Sequence, residues 1–121
     1  MTRDAPAGSS AARATSSVAT DDTVAITGHW TKYGAVYHIP YGALLPRALR
    51  NLLVAGRCIS VDHGVHQATK EIPACMATGE AAGTAAALSI RTHLNPPAVD
   101  VAKLRGELAD RRAIVAFDLP E

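Results

Sequence analysis

Bulky side chains are scarce in this sequence. One Phe and one Trp occur among 121 residues, and Ala supplies much of the apolar share. A core filled by large rings is therefore excluded. An excess of one charge is also missing, because 12 Lys and Arg face 11 Asp and Glu, for a net charge of +1. Nothing in that balance argues for nucleic acid or an acidic partner. Cysteine is limited to Cys58 and Cys75, which form no CxxC pair. A disulfide framework is not indicated, and a reducing compartment such as the cytoplasm fits. No apolar run suits a secretory signal at the N-terminus. The stretch 73–90 approaches a membrane span in length, but Glu80 stands in its middle and Ala and Gly are weakly apolar, which excludes a transmembrane reading. The length suits one domain.

What is present centres on residues 51–90. NLLVAGRCIS opens with an apolar run, Leu52 to Ala55, bounded by Asn51 and Gly56. The run predicts a short strand buried on both faces, though a helix fragment shows the same pattern. PACMATGEAAGTAAALSI predicts a helix over 73–90. Pro73 suits a first helical position, where its missing N–H costs nothing. Ala, the strongest helix former, dominates the rest. Gly79 and Gly83 oppose helicity by roughly 1 kcal/mol each and place two bare patches on one face, with Ala82 and Ala86 continuing the small surface. That face serves close helix–strand packing, direct ligand contact, or both. Ile72 is a poor N-cap, so the first-turn amides lack a side-chain partner unless Thr69 or water supplies one. An anion or a polarised carbonyl oxygen would also satisfy them. A strand, a polar turn and a small-residue helix form a phosphate- or cofactor-facing unit in many α/β proteins.

The remaining chain reads as support. Residues 1–21, rich in Ser, Ala and Thr, predict a disordered tail. TVAIT (23–27) and AVYHI (35–39) alternate like strands, the second ended by Pro40, with GHWTKYG (28–34) as a loop between them. Residues 41–50 connect, with a short helical turn. Asn95, Pro96 and Pro97 stop the long helix. Asp100 predicts an N-cap for a second helix over 101–112, with Val101, Leu104 and Leu108 on one face. AIVAF (113–117) predicts a final strand. No internal repeat is present.

YHIPYGALLP, NLLVAGRCIS and PACMATGEAAGTAAALS, in that order and spacing, resemble the C-terminal segment of the FAD-dependent oxidoreductase family that includes heterodisulfide reductase A-type relatives. The resemblance runs from about Asp22 to Leu108, and residues 22–118 are assigned to that segment. It implies an α/β fold: the incomplete C-terminal part of a glutathione-reductase-type FAD-binding fold, with few strands, a long Ala/Gly helix and a second short helix. It implies FAD as cofactor, with Ala55, Gly56 and Arg57 near the ribityl–pyrophosphate region. The helix start at Pro73 and Ala74 would point at the flavin ring system. Gly79, Ala82 and Gly83 would pack against the nucleotide-binding sheet. Two departures stand out. The sequence contains no GxGxxG, and Gly79–Gly83 lies inside a helix, so the fingerprint for the ADP half of the site is absent. Lys70 stands where the family usually has Arg, keeping the charge but losing the planar fork.

Other chemistry is thinner. Asp62, His63 and His66 form a D-H-x-x-H cluster near Cys58, with no fourth ligand evident, and a solvated polar turn is the expectation. Some relatives carry iron–sulphur clusters, but two separated cysteines supply no four-thiolate set. Cys75 at a helix start is a thiol of lowered pKa or a small buried hydrophobe. Tyr37, His38 and Tyr41 face a substrate or form a strand end with two surface aromatics, and the second is the expectation. No catalytic residue is assigned. Three functions remain: the flavin-contacting part of an oxidoreductase, working with a complementing FAD-binding chain; an inactive truncated remnant; or a small interaction module, self-associating or pairing with another protein.

Overall fold

Alternating apolar residues build the first element. In the computed structural model, which describes residues 20–28 and 36–116, Thr23–Gly28 forms strand β1 and Val36–Pro40 forms strand β2. They pair antiparallel, Ile26 opposite His38 and Gly28 opposite Val36, with an irregularity between Thr23 and Ala25. Thr23, Val24 and Ala25, which span that irregularity, are all buried. A 3-10 turn, Tyr41–Leu44, follows Pro40 and is buried throughout. The predicted tail up to residue 19 and the predicted loop at 29–34 lie outside the described residues.

The strand expected over Leu52–Ala55 does not form. Those residues are irregular, Leu52 is 43% exposed, and the amide of Val54 donates to the carbonyl of Leu44 at 2.9 Å. An apolar run becomes a strand only when a neighbouring strand completes its ladder. Among the described residues none lies beside it. The final strand expected over 113–117 is likewise absent at residues 113–116, and Phe117 lies outside the described residues.

Helix α1 is one turn, His66–Thr69, and α2 runs Ile72–Thr92. The helix α2 stops before the Asn-Pro-Pro stretch, because His93 adopts the left-handed conformation (φ 57°) and its amide closes the last turn onto the carbonyls of Ser89 and Ile90. Helix α3, Val101–Asp110, begins as expected at Asp100, whose carboxylate accepts from the amides of Ala102 (3.0 Å) and Lys103 (3.4 Å).

The core lies where β1, the Tyr41–Leu44 turn, α2 and α3 meet. Ile39, Leu44, Leu88, Leu104 and Leu108 fill it. Ala81 and Ala85 of α2 are fully buried, and their small side chains let the helix lie close to its neighbours in that core. Thus the small-residue packing read from the sequence is made by alanines, not by the glycines. The buried Tyr41 hydroxyl donates to the carbonyl of Pro96 at 2.6 Å and pins the connection after α2 to the connection after β2. Burial pushes its pKa up to about 12. This corrects the surface placement expected for Tyr41. His38 is buried as well, and Tyr37 half-buried. Arg91 and Glu107 join α2 to α3 through a two-pronged ion pair at 2.7 and 2.8 Å. Among the described residues, no helix is long and apolar enough to cross a membrane.

Candidate functional site

The turn Gly56–Cys58 is laid on the first turns of α2. Gly56 takes φ +71°, a conformation that a Cβ would strain, and that Cβ would stand 3.9 Å from the Sγ of Cys75. The Gly56 amide donates to Oγ1 of Thr78 at 2.9 Å, and Thr78 Oγ1 in turn donates back to the carbonyl of Ala74 at 3.0 Å. Arg57 reaches across with its Nε donating to the carbonyl of Lys70 at 3.1 Å. The fold therefore sets Gly56 beside Cys75 and Thr78 of α2, and Arg57 beside Lys70, just before that helix.

That opening is bare. Glu71 is the residue before the helix, its side chain makes no capping hydrogen bond, and Pro73 contributes no N–H. Thr69 does not supply the cap considered above. Its hydroxyl donates instead to the carbonyls of Val65 (3.3 Å) and His66 (3.2 Å). Among the described residues, no side chain makes a capping hydrogen bond to the positive end of this 21-residue helix. Cys75 is half-buried, with its thiol 3.6 Å from the carbonyl of Lys70.

The remaining candidates divide by face. Ala74 is fully buried in this chain, and Ala82 is half-buried against the core edge. Gly79 and Gly83 are exposed, with nothing within 4 Å of an added Cβ, so they touch neither of the described strands. On the same stripe stand Ile72 (68% exposed), Met76 (69%) and Ile90 (75%), which the sequence reading did not single out. Their spacing from the glycines, at three and seven residues, was the available signal. The open face of α2 is thus apolar along its whole length and notched at its centre.

Among the described residues no group of three His, Cys, Asp or Glu side chains is placed to hold a metal ion. Cys58 is exposed and lines a cavity of about 210 Å³ with Arg47, Val54 and Ser60. A larger cavity, of about 520 Å³, lies at the end of the β1–β2 hairpin beside Glu71 and Pro73.

No curated protein and no solved structure matches the chain. The family described as FAD dependent oxidoreductase matches over residues 10–108, a span that contains the Gly56 turn, all of α2 and most of α3. That family implies FAD, and the donor set fits its ring end: an uncapped helix start and an adjoining glycine turn offer backbone amides and positive potential to electron-rich oxygens. The fit stops there, since the described residues hold no βαβ unit and no Gly-rich loop for a pyrophosphate. A match over most of its length shows that the chain belongs to the FAD dependent oxidoreductase family.

Proposed function

We propose that this chain supplies the flavin-contacting surface of an FAD-dependent oxidoreductase, closing over a flavin whose ADP half is held by a nucleotide-binding unit that carries the Gly-rich fingerprint. The observation that carries this is the open face of α2. It starts at an uncapped helix end and continues through Ile72, Met76, Gly79, Gly83 and Ile90. Large apolar side chains on one exposed stripe favour burial, each worth about 1.5–3 kcal/mol when fully covered. The glycine notch lets a flat surface approach the helix backbone.

Within this reading the residues divide the work. FAD supplies two-electron redox chemistry when bound. The first-turn amides of α2, with the helix dipole behind them, favour electron-rich oxygen at that end. The Gly56–Arg57 turn presents backbone and a guanidinium beside it, held in place by Thr78 and Lys70. Gly79 and Gly83 accept the closest approach. A two-domain arrangement of the glutathione-reductase type, in the branch of heterodisulfide reductase A-type relatives, belongs to this proposal.

The test is reconstitution. The chain alone, titrated with FAD, is expected to show no micromolar quenching of flavin fluorescence. Mixed with a GxGxxG-bearing unit from the same family, it is expected to raise that unit's FAD affinity and exclude solvent quenchers. Stoichiometric micromolar binding by the chain alone overturns the division of the site. A chain that binds another protein but leaves its flavin affinity unchanged is instead an interaction module.

A further inference from the structure

The main chain just before the glycine turn is hydrogen-bonded along one edge only. The Val54 amide donates to the carbonyl of Leu44 at 2.9 Å, and the Gly56 amide donates to Thr78 at 2.9 Å. In extended backbone, alternate residues turn their amides to one edge and the residues between them to the other. Ala55 is extended, with φ −149° and ψ 171°. The Leu53 N–H, the Leu53 carbonyl and the Ala55 N–H therefore face away from Leu44 and Thr78. None of the three has a hydrogen-bond partner among the described residues. Both residues are half-buried, so these groups stand at the margin of the core rather than in open solvent.

The side chains show what kind of edge this is. Leu53 packs against the core, Val54 lines the cavity of about 210 Å³, and Leu52 is 43% exposed. A run apolar on both faces has the composition of a strand inside a sheet covered on both sides. Charged side chains and proline, the usual guards of a solvent-facing edge, are absent from Leu52–Ala55.

We propose that Leu53–Ala55 is a docking edge, which takes one strand of the nucleotide-binding unit's sheet through main-chain hydrogen bonds. The identity of that partner rests on the flavin reading above. Gly56 stands at the carboxyl end of the run, and open α/β sheets bind their ligands outside the carboxyl ends of their strands. A sheet extended from this edge therefore sets the Gly56–Arg57 turn in line with the ligand end of the partner's sheet. A lone extended peptide would meet the three main-chain groups but leave Leu52 open to water. A strand that carries its own sheet and covering helices buries that side chain as well.

The test follows amide hydrogen exchange by NMR in the full isotope-labelled chain, alone and saturated with the GxGxxG-bearing unit. Alone, Leu53 and Ala55 are expected to exchange fast, and Val54 and Gly56 slowly. In the complex, exchange at Leu53 and Ala55 should slow by about tenfold or more. An ester in place of the Val54–Ala55 amide removes the Ala55 N–H. It should leave the melting temperature of the free chain unchanged and weaken the complex about fivefold to tenfold, the worth of one hydrogen bond.

FAD affinity, measured on the same samples, separates the two readings. Protection of both amides with no gain in FAD affinity keeps the docking edge and removes the flavin-contacting role. A gain in FAD affinity while both amides still exchange fast overturns the docking edge alone. An ester that leaves the complex at full strength overturns it too. Slow exchange at both amides in the chain alone does the same, and a dependence on concentration would then identify a second copy as the occupant. Failure to form any complex overturns both.

Discussion

The amide of Gly56 and the hydroxyl of Thr78 meet at 2.9 Å, and this bond fixes the glycine turn to the second turn of α2. Thr78 is fully buried and carries its only polar side-chain atom into that contact. Thr78→Val keeps the shape and removes the hydroxyl. The Gly56 amide then lacks its acceptor, at a cost of about 1–2 kcal/mol. Urea unfolding measures the loss, and Thr78→Ser is expected to recover most of the hydrogen-bond contribution. Equal stability of the Val variant and the parent would show that the turn is held by other contacts.

Tyr41 gives a second handle. Tyr41→Phe removes the hydrogen bond to Pro96 and is expected to cost about 1–2 kcal/mol. The pH dependence has a definite sign. The folded protein raises the Tyr41 pKa from 10.0 to about 12, because burial disfavours the phenolate. The stabilisation is therefore complete below pH 10 and is lost as pH rises toward 12. Parent and Tyr41→Phe unfolding curves should converge over that interval. Curves that stay parallel up to pH 12 would contradict the shift.

Both ring nitrogens of His38 are buried without a hydrogen-bond partner. An unpaired imidazole in that position destabilises the fold, because its lost hydration is not repaid. His38→Leu should raise stability by about 1 kcal/mol, read as a higher melting temperature. A lower melting temperature would mean that the ring is satisfied in solution.

Gly79 separates stability from docking. Its helix position is open, so Gly79→Leu should stabilise the chain itself by about 0.5–1 kcal/mol through helix propensity. In the reconstituted complex the same side chain occupies the notch, and flavin binding should fall. Ala87→Leu, two turns further along, should leave flavin binding near the parent level. Full flavin retention in Gly79→Leu would remove the glycine face from the proposed contact.

The contrast between elements shows what local sequence encodes. Asp100 before an amphipathic run is a self-contained signal, and α3 starts there. The sequence also marked residues 73–90 as helical, from Pro73 at the first position and the Ala content after it. It did not say which face would be covered. The helix α2 is apolar nearly all round, so periodicity could not choose between its alanine side and its glycine side. Leu52 to Ala55 fails for a related reason. Four apolar residues specify burial, while a strand also needs a partner ladder that the run itself does not encode. For the site, Gly56 was legible because a turn bounded the apolar run, whereas Thr78 was invisible because its role depends on a residue 22 positions away.

Arg105 extends one guanidinium to two distant parts of the chain, the carbonyl of Asp21 at 2.9 Å and that of Val115 at 3.3 Å. The two ends of the described fold are therefore neighbours in space, separated by little more than the width of a side chain. A unit with adjacent entry and exit meets the topological condition for insertion into a surface loop of another protein. It also meets the condition for circular permutation. A short linker from residue 116 to residue 20 would close the backbone, and new termini could then open in the exposed stretch Arg47–Asn51 without cutting α2 or β1.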